Sequence, residues 1–234
     1  MRPRHRSARF VTLVTVTILW AVAVPRPTAA EEPPAGMQLA FADDFSAGKG
    51  RWDTTDDASW DIVSFDGNPA MALNKRVSAY APKVRSPHNI ALVKDLEAED
   101  CVITFRVRST ADTGNHRDCC VFFGHRDPEH FYYVHLGAKP DPASGQIMIV
   151  DGAPRRPLTK NERPVPWDDA WHAVKLVRTG GTATIAVYFD DMQTPLMSVE
   201  DGSFGKGRIG IGSFDDMNAF DDVRIYVPKD SAGR

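Results

Sequence analysis

The chain alternates short apolar runs with turn-forming residues, and no stretch of a dozen residues shows helical spacing. After residue 36, the runs place apolar side chains at every second position or are rich in β-branched and aromatic residues, a pattern typical of strands. Turn pairs such as Asp66-Gly67 and Gly180-Gly181 separate them. The predicted strands cover residues 37–45, 60–65, 70–75, 90–96, 101–108, 119–125, 131–136, 146–150, 171–178, 182–189, 208–214 and 223–227.

This many short strands in a chain of this length predict an all-β fold with two stacked antiparallel sheets, a β-sandwich or jelly roll. No shift in composition marks a second domain, and no internal repeat is present. We therefore expect a single β-sandwich domain over residues 38–228. A leader at residues 31–37 precedes it, and a tail at residues 229–234 follows it.

The first 30 residues have the pattern of an export signal. Arginines open the segment, residues 10–24 form an apolar run, and Thr28-Ala29-Ala30 supplies small residues before Glu31. A membrane-spanning helix needs about 20 apolar residues, so a run of 15 favours a signal peptide over an anchor. Residues 1–30 are thus predicted to be cleaved, which leaves a secreted or periplasmic protein with no membrane attachment; an uncleaved anchor is the alternative.

The charge balance excludes some partners. Five of the 28 basic residues and none of the 31 acidic ones lie in residues 1–30, so the mature chain carries a net charge of −8 rather than −3. This balance offers no basic surface for nucleic acid or for an anionic membrane. The three cysteines, Cys101, Cys119 and Cys120, permit at most one disulfide, so apolar packing must hold the core together.

A hairpin is predicted where strands 119–125 and 131–136 flank a four-residue loop that pairs His125 with His130. Directly opposed residues share a face of the sheet. This register sends His135 to the opposite face from His125 and His130, so a three-histidine zinc site is not expected. Cys120 beside His135 could form a thiolate–imidazolium pair, although a buried, inert thiol is the commoner arrangement. The predicted core pairs are Phe123–Tyr132, Val121–Val134 and Cys119–Leu136, and the pairs on the other face are Phe122–Tyr133 and Cys120–His135.

Strand 101–108 buries its odd positions in the same alternation. Pairing Arg108 with Asp118 would place it beside strand 119–125, with Arg106 next to Cys120 and Thr104 next to Phe122. Aromatic rings stack on the C–H faces of sugars, and planar polar groups bind their hydroxyls, so this face is predicted to bind carbohydrate. An ordinary outer sheet face, or one covered by a loop, is the alternative. The predicted substrate-binding residues are Thr104, Arg108, Cys120, Phe122 and Tyr133.

The ends of the mature chain resemble a known superfamily. Phe41-Ala42-Asp43-Asp44-Phe45 and Phe220-Asp221-Asp222-Val223-Arg224-Ile225-Tyr226 look like the first and last strands of concanavalin A-like lectin/glucanase domains. The plan over residues 38–227 is also similar to 3-keto-disaccharide hydrolase-like and laminin-G-like secreted bacterial domains. The resemblance implies a concanavalin A-like jelly roll. It also implies a structural calcium ion (Ca²⁺) at Asp44 and Asp221; solvated turn acids are the alternative.

The resemblance does not extend to the laminarinase catalytic motif, Glu-x-Asp-x-x-Glu, which none of the seven glutamates begins. Retaining hydrolysis needs two carboxyl groups about 5 Å apart, and no strand supplies such a pair. Similarity to the 3-keto-disaccharide hydrolase-like domains implies an enzyme that acts on a modified sugar. For such an enzyme we predict Asp118 and His135, from the presented face, as acid/base partners and Arg106 as the residue that stabilises an oxyanion or enolate. Three functions stay open: glycan binding on the concave face of the sandwich, a hydrolase or lyase acting on 3-keto-disaccharides, and a structural or adhesion module.

Overall fold

The computed structural model describes residues 32–231, which form fifteen strands in two antiparallel sheets. Residues 1–31, where the signal peptide is predicted, and residues 232–234 lie outside the described part. The strands are β1 (Met37–Asp43), β2 (Trp52–Thr54), β3 (Trp60–Phe65), β4 (Asn68–Leu73), β5 (Asn89–Ala98), β6 (Cys101–Ser109), β7 (Cys120–Asp127), β8 (His130–His135), β9 (Gln146–Asp151), β10 (Arg156–Pro157), β11 (His172–Thr179), β12 (Thr184–Phe189), β13 (Met197–Glu200), β14 (Gly207–Ser213) and β15 (Asn218–Pro228).

The eight-stranded sheet has the order β13-β12-β11-β6-β15-β4-β3, with β1 also paired to β15. With 11 residues, β15 is long enough to pair with β4 near its start and with β1 towards its end. The seven-stranded sheet has the order β10-β9-β8-β7-β14-β5-β2. The predicted all-β fold with two antiparallel sheets is therefore confirmed.

All twelve predicted strands are present, and all but strand 60–65 have at least one shifted end. Three further strands, β2, β10 and β13, were not predicted because they contain only three, two and four residues and are too short to show a period. Among residues 32–231, no helix has the length and apolar character needed to cross a membrane.

The main core lies between the two sheets, where alternate residues of each strand point inward. It includes Trp60, Phe105, Phe123 and Tyr132, all at most 2% exposed. Full burial of each such side chain contributes about 1.5–3 kcal/mol to stability.

A second apolar group, here called the outer cluster, covers the opposite face of the seven-stranded sheet. The loop at residues 74–88 packs against it through Val84. Its members are Ile90, Leu92, Cys120, Phe122, Phe131, Tyr133, Met148, Val150 and Phe214.

Candidate functional site

The β7–β8 hairpin follows the predicted register only over part of its length. Cys120 pairs with His135 and Phe122 with Tyr133, as predicted. Beyond Phe123 the register shifts, so that Asp127, and not His125, pairs with His130. The predicted four-residue loop is therefore wrong.

The shift has a local cause at Gly124, whose φ of +55° is readily adopted only by glycine. It turns His125 onto the outer face, where its ring stacks on Phe131 at 5.1 Å between ring centroids. His125 therefore shares a face with His135, contrary to the prediction, while His130 contacts Phe204 of the main core.

Strand β6 does not lie beside β7. It pairs with β11 and β15 in the other sheet, so Arg106 is opposite Ala173 and Asp221 rather than next to Cys120. Its odd residues enter the main core, and its even residues therefore face away from it. The predicted neighbours Arg106–Cys120 and Thr104–Phe122 are separated by the whole sandwich.

The three β6 side chains that were predicted to join the site, those of Thr104, Arg106 and Arg108, lie on the outer face of the eight-stranded sheet. The Arg106 guanidinium is 3.6 Å from the Asp221 carboxylate and 4.9 Å from the centre of the Trp171 ring. Arg108 lies 5.5 Å from the centre of the Phe65 ring. Arg106 therefore cannot stabilise an intermediate formed at Asp118 and His135.

Three other predicted substrate-binding residues, Cys120, Phe122 and Tyr133, are 0% exposed in the outer cluster. They face the predicted side of the sheet, but a loop covers them, as the alternative interpretation allowed. Burial raises the pKa of Tyr133, whose hydroxyl accepts a hydrogen bond from Arg155. These side chains support the site by packing and do not line its surface.

All three cysteines are buried and unpaired. Burial and the negative charge of Asp118 raise the pKa of Cys120 well above its ordinary value. Cys120 is therefore held as a neutral thiol, and a thiolate–imidazolium pair with His135 is not formed.

A cleft of about 470 Å³ opens beside the outer cluster where β7 begins and β8 ends. We call it the His135 cleft. Asp118 and His135 line its buried side, at 3% and 5% exposure. Its lining includes Arg85, Asp118, His135, Lys139, Arg155 and Phe214, with Asp141 and Asp215 as further carboxylates.

Asp118 and His135 are held in place from both sides. The Nδ1 atom of His135 donates a hydrogen bond to the carbonyl oxygen of Ala143 at 2.9 Å, which turns Nε2 towards the Oδ2 atom of Asp118, 3.6 Å away. The other carboxylate oxygen accepts hydrogen bonds from the Ser213 hydroxyl and the Phe214 amide at 2.9 and 3.0 Å. Burial raises the pKa of Asp118, but the charge of His135 and these hydrogen bonds outweigh it, and the net shift is downward.

Behind Asp118 lies a second buried carboxylate, that of Asp216. It accepts hydrogen bonds from the Asp118 amide at 3.2 Å and from the Thr113 hydroxyl at 3.1 Å. Burial, together with the negative charge of Asp118, raises its pKa from 3.8 to about 6. The Asp216 carboxyl group therefore binds its proton more tightly in the folded state than in the unfolded state. The contribution of Asp216 to the free energy of unfolding consequently falls as the pH rises from about 4 to 6.

We expect Asp216→Asn to be more stable than the wild type above pH 7, by up to roughly 3 kcal/mol, with no difference near pH 4. Asparagine can keep both contacts. Its side-chain oxygen can accept a hydrogen bond from the Asp118 amide, and its NH₂ group can donate one to the Thr113 hydroxyl oxygen. Urea unfolding at the two pH values measures the difference. A difference that does not change with pH would contradict the expected titration.

The predicted calcium ligands lie near the junction of β1 and β15. Asp44 accepts hydrogen bonds from the amide and hydroxyl of Ser46. Burial and the charge of Asp222 raise the pKa of Asp221 to about 6. Within residues 32–231, no three acidic, histidine or cysteine side chains are arranged to hold a metal ion. Calcium takes six to eight oxygens, which these carboxylates alone do not supply, so the ion stays a prediction.

The sequence pattern missed the cationic and aromatic lining of the His135 cleft. Arg85, Lys139 and Arg155 lie outside the strands, in segments without a period, and Phe214 directly follows β14 at the end of predicted strand 208–214. The ring of Phe214 stacks on His135 at 5.6 Å, and the Arg155 guanidinium lies 3.8 Å from its centre.

No protein-family model matches the chain, and no curated protein matches it by sequence. Solved structures do match. The carbohydrate-binding module CBM66 from Bacillus subtilis is 16% identical with a TM-score of 0.53, and the match covers 74% of this chain and 93% of the module.

Domain 4 of AbnA, a GH43 extracellular arabinanase from Geobacillus stearothermophilus solved with arabinotriose, is 12% identical with a TM-score of 0.53, over 82% of this chain and 94% of that domain. The carbohydrate recognition domain of Emp47p is 12% identical with a TM-score of 0.54, over 84% and 99%. At identities this low the likeness concerns the fold alone. The chain has the concanavalin A-like β-sandwich fold.

Proposed function

We propose that this protein binds carbohydrate in the His135 cleft on the outer face of the seven-stranded sheet. The observation that carries the proposal is the grouping of Asp118, His135, Arg85 and Arg155 around Phe214 in one open cleft. The matched structures support the ligand class, since their names describe two carbohydrate-binding domains and an arabinanase domain solved with arabinotriose.

The chemistry of the cleft suits a hydroxyl-rich ligand. Arg155 uses one N–H group on the Tyr133 hydroxyl, and a guanidinium carries five, so further donors can reach a ligand. Arg85 and Lys139 are exposed and add flexible donors at the rim. Asp118 and His135 are fixed by their own hydrogen bonds, so they can accept from or donate to hydroxyls with little loss of side-chain freedom.

Export is part of the proposal. The arginine-rich start and the apolar run at residues 10–24 support a secreted or periplasmic location, where free glycans and cell-surface polysaccharides occur.

We expect Arg85→Ala to weaken glycan binding about tenfold or more, because a charge-assisted hydrogen bond contributes about 1.5–3 kcal/mol. The matched control is Arg108→Ala, which removes an arginine from the outer face of the other sheet and should leave binding unchanged. A glycan array identifies the ligand, and calorimetry with that ligand measures both variants. Unchanged affinity in Arg85→Ala, an equal loss of affinity in the control, or no glycan retained by the wild type would overturn the proposal.

A second candidate function is catalysis on a modified sugar such as a 3-keto-disaccharide. The pairing of Asp118 with His135 at 3.6 Å favours it, because a buried carboxylate next to an imidazole of fixed orientation can act as a general acid/base pair. Arg106 has no role in this version. Arg155, in the same cleft as the pair, would be the cation that stabilises developing negative charge.

A further inference from the structure

A second cleft lies at the other end of β7, on the same face of the seven-stranded sheet. Its volume is about 360 Å³, and we call it the His125 cleft. Cys120, the partner of His135 in the hairpin, and His125 are five residues apart along β7, which corresponds to about 16 Å. Its polar lining includes Asp53, Thr55, Tyr80, His125, Arg126, Asp127 and Arg208.

His125 is the unusual feature of this cleft. The residue is 8% exposed in the cleft wall and stacks on Phe131, and its buried Nδ1 atom has no hydrogen-bond partner among residues 32–231. A buried polar atom without a partner costs about 1–3 kcal/mol, and most such atoms in proteins are paired. Because this atom is enclosed by protein, a ligand would contact His125 through the rest of its ring, which lines the cleft.

The charges of the cleft balance one another. The Arg208 guanidinium binds the Asp53 carboxylate at 2.6 Å and the Val93 carbonyl oxygen at 3.2 Å. Arg126 and Asp127 add one charge of each sign. Burial and the charge of Arg208 lower the pKa of His125 to about 4, so its imidazole is neutral at pH 7. A site of this kind favours an uncharged ligand over a phosphate or a carboxylate.

The remaining surface is apolar and aromatic. Ile90 and Leu92 of β5 contribute aliphatic side chains to the lining, and the half-buried ring of Tyr80 contributes an aromatic surface. Aliphatic and aromatic surfaces of this kind match the C–H faces of a sugar ring, while the imidazole and the hydroxyl of Tyr80 match its hydroxyl groups.

We propose that the His125 cleft is a second binding site, specific for an uncharged saccharide ring. The inference rests on the proposed function for its ligand class, but its site is a different one. The two sites would hold separate rings of one glycan or two separate ligands.

The test uses the mature protein, neutral trisaccharides that include arabinotriose, and backbone NMR shifts. The Tyr80 amide reports on the His125 cleft, and the Phe214 amide reports on the His135 cleft. In the wild type, we expect a neutral trisaccharide to shift the Tyr80 amide in a saturable way. His125→Phe keeps the stacking on Phe131 but has no ring nitrogen, and it should weaken the affinity read at Tyr80 about tenfold or more.

The outcomes separate this inference from the proposed function. Shifts at Phe214 alone, or unchanged affinity at Tyr80 in His125→Phe, would overturn the second site and leave the first standing. Shifts at Tyr80 alone would support the second site and remove the first. A response at Tyr80 to an acidic saccharide but to no neutral one would overturn the inferred specificity. The melting temperature of His125→Phe should equal or exceed that of the wild type, because the variant removes an unpaired buried nitrogen and keeps the packing.

Discussion

Substituting Gly212 with alanine is expected to destabilise the protein by about 3 kcal/mol or more, and to reduce the yield of folded protein. A Cβ atom at Gly212 would lie 1.9 Å from the carbonyl oxygen of Asn89 and 3.0 Å from the ring of Phe122. The carbonyl belongs to the neighbouring strand β5, so the clash can be relieved only by moving backbone. Overpacking of this kind costs about 1–3 kcal/mol when side chains can adjust, and more when they cannot.

The clash at Gly212 arises because both faces of strand β14 are packed against other side chains. Ile209 and Ile211 enter the main core, whereas Gly210 and Gly212 face the outer cluster, where they leave room for Phe122 and Leu92. Urea unfolding measures the loss of stability. The matched control is Gly181→Ala, since a Cβ there meets nothing within 4 Å. Equal stability of the two variants would contradict this account of the glycines.

The second large effect is expected at Asp118. Alanine at this position leaves the Ser213 hydroxyl and the Phe214 amide without their acceptor in a buried place, and we expect a loss of roughly 2–5 kcal/mol. Asparagine keeps an oxygen for both donors and turns an amide group towards His135. The unfolding free energy of Asp118→Asn should therefore stay within about 1 kcal/mol of the wild type, as measured by urea unfolding.

Asp118→Asn also separates the two candidate functions, because it retains the fold but removes the carboxylate. If the protein turns over 3-keto-disaccharides, this variant should lose at least about a hundredfold in rate. Binding without turnover in the wild type would select the binding function. Turnover that persists in Asp118→Asn would exclude the Asp118–His135 pair as the acid/base pair.

The two proposed clefts use different parts of the same surface. Segment 74–88 covers the middle of the outer cluster and supplies Tyr80 to one cleft and Arg85 to the other. The aromatic face that the sequence pattern predicted as a binding surface thus serves as packing. The two proposed ligand sites lie at its ends, where polar side chains line open clefts.

Residue periodicity alone predicted the fold class and most of the strands, because a strand with one face in the core must alternate apolar and polar side chains. The same alternation correctly paired Phe122 with Tyr133 and Cys120 with His135, since these residues lie in a hairpin with a short connection. Asp118 and His135 therefore come together as the sequence suggested.

Tertiary structure decided the rest. Strands β6 and β7 both bury their odd positions, and this pattern is the same whether two strands are neighbours in one sheet or face each other across a core. The chain between Ser109 and Cys120 crosses from one sheet to the other, which places Arg106 on the far surface. A single positive φ at Gly124 reverses the alternation and turns His125 outward. Periodicity carries no information about which sheet a strand joins or where a bulge falls, because both depend on contacts between residues far apart in the chain.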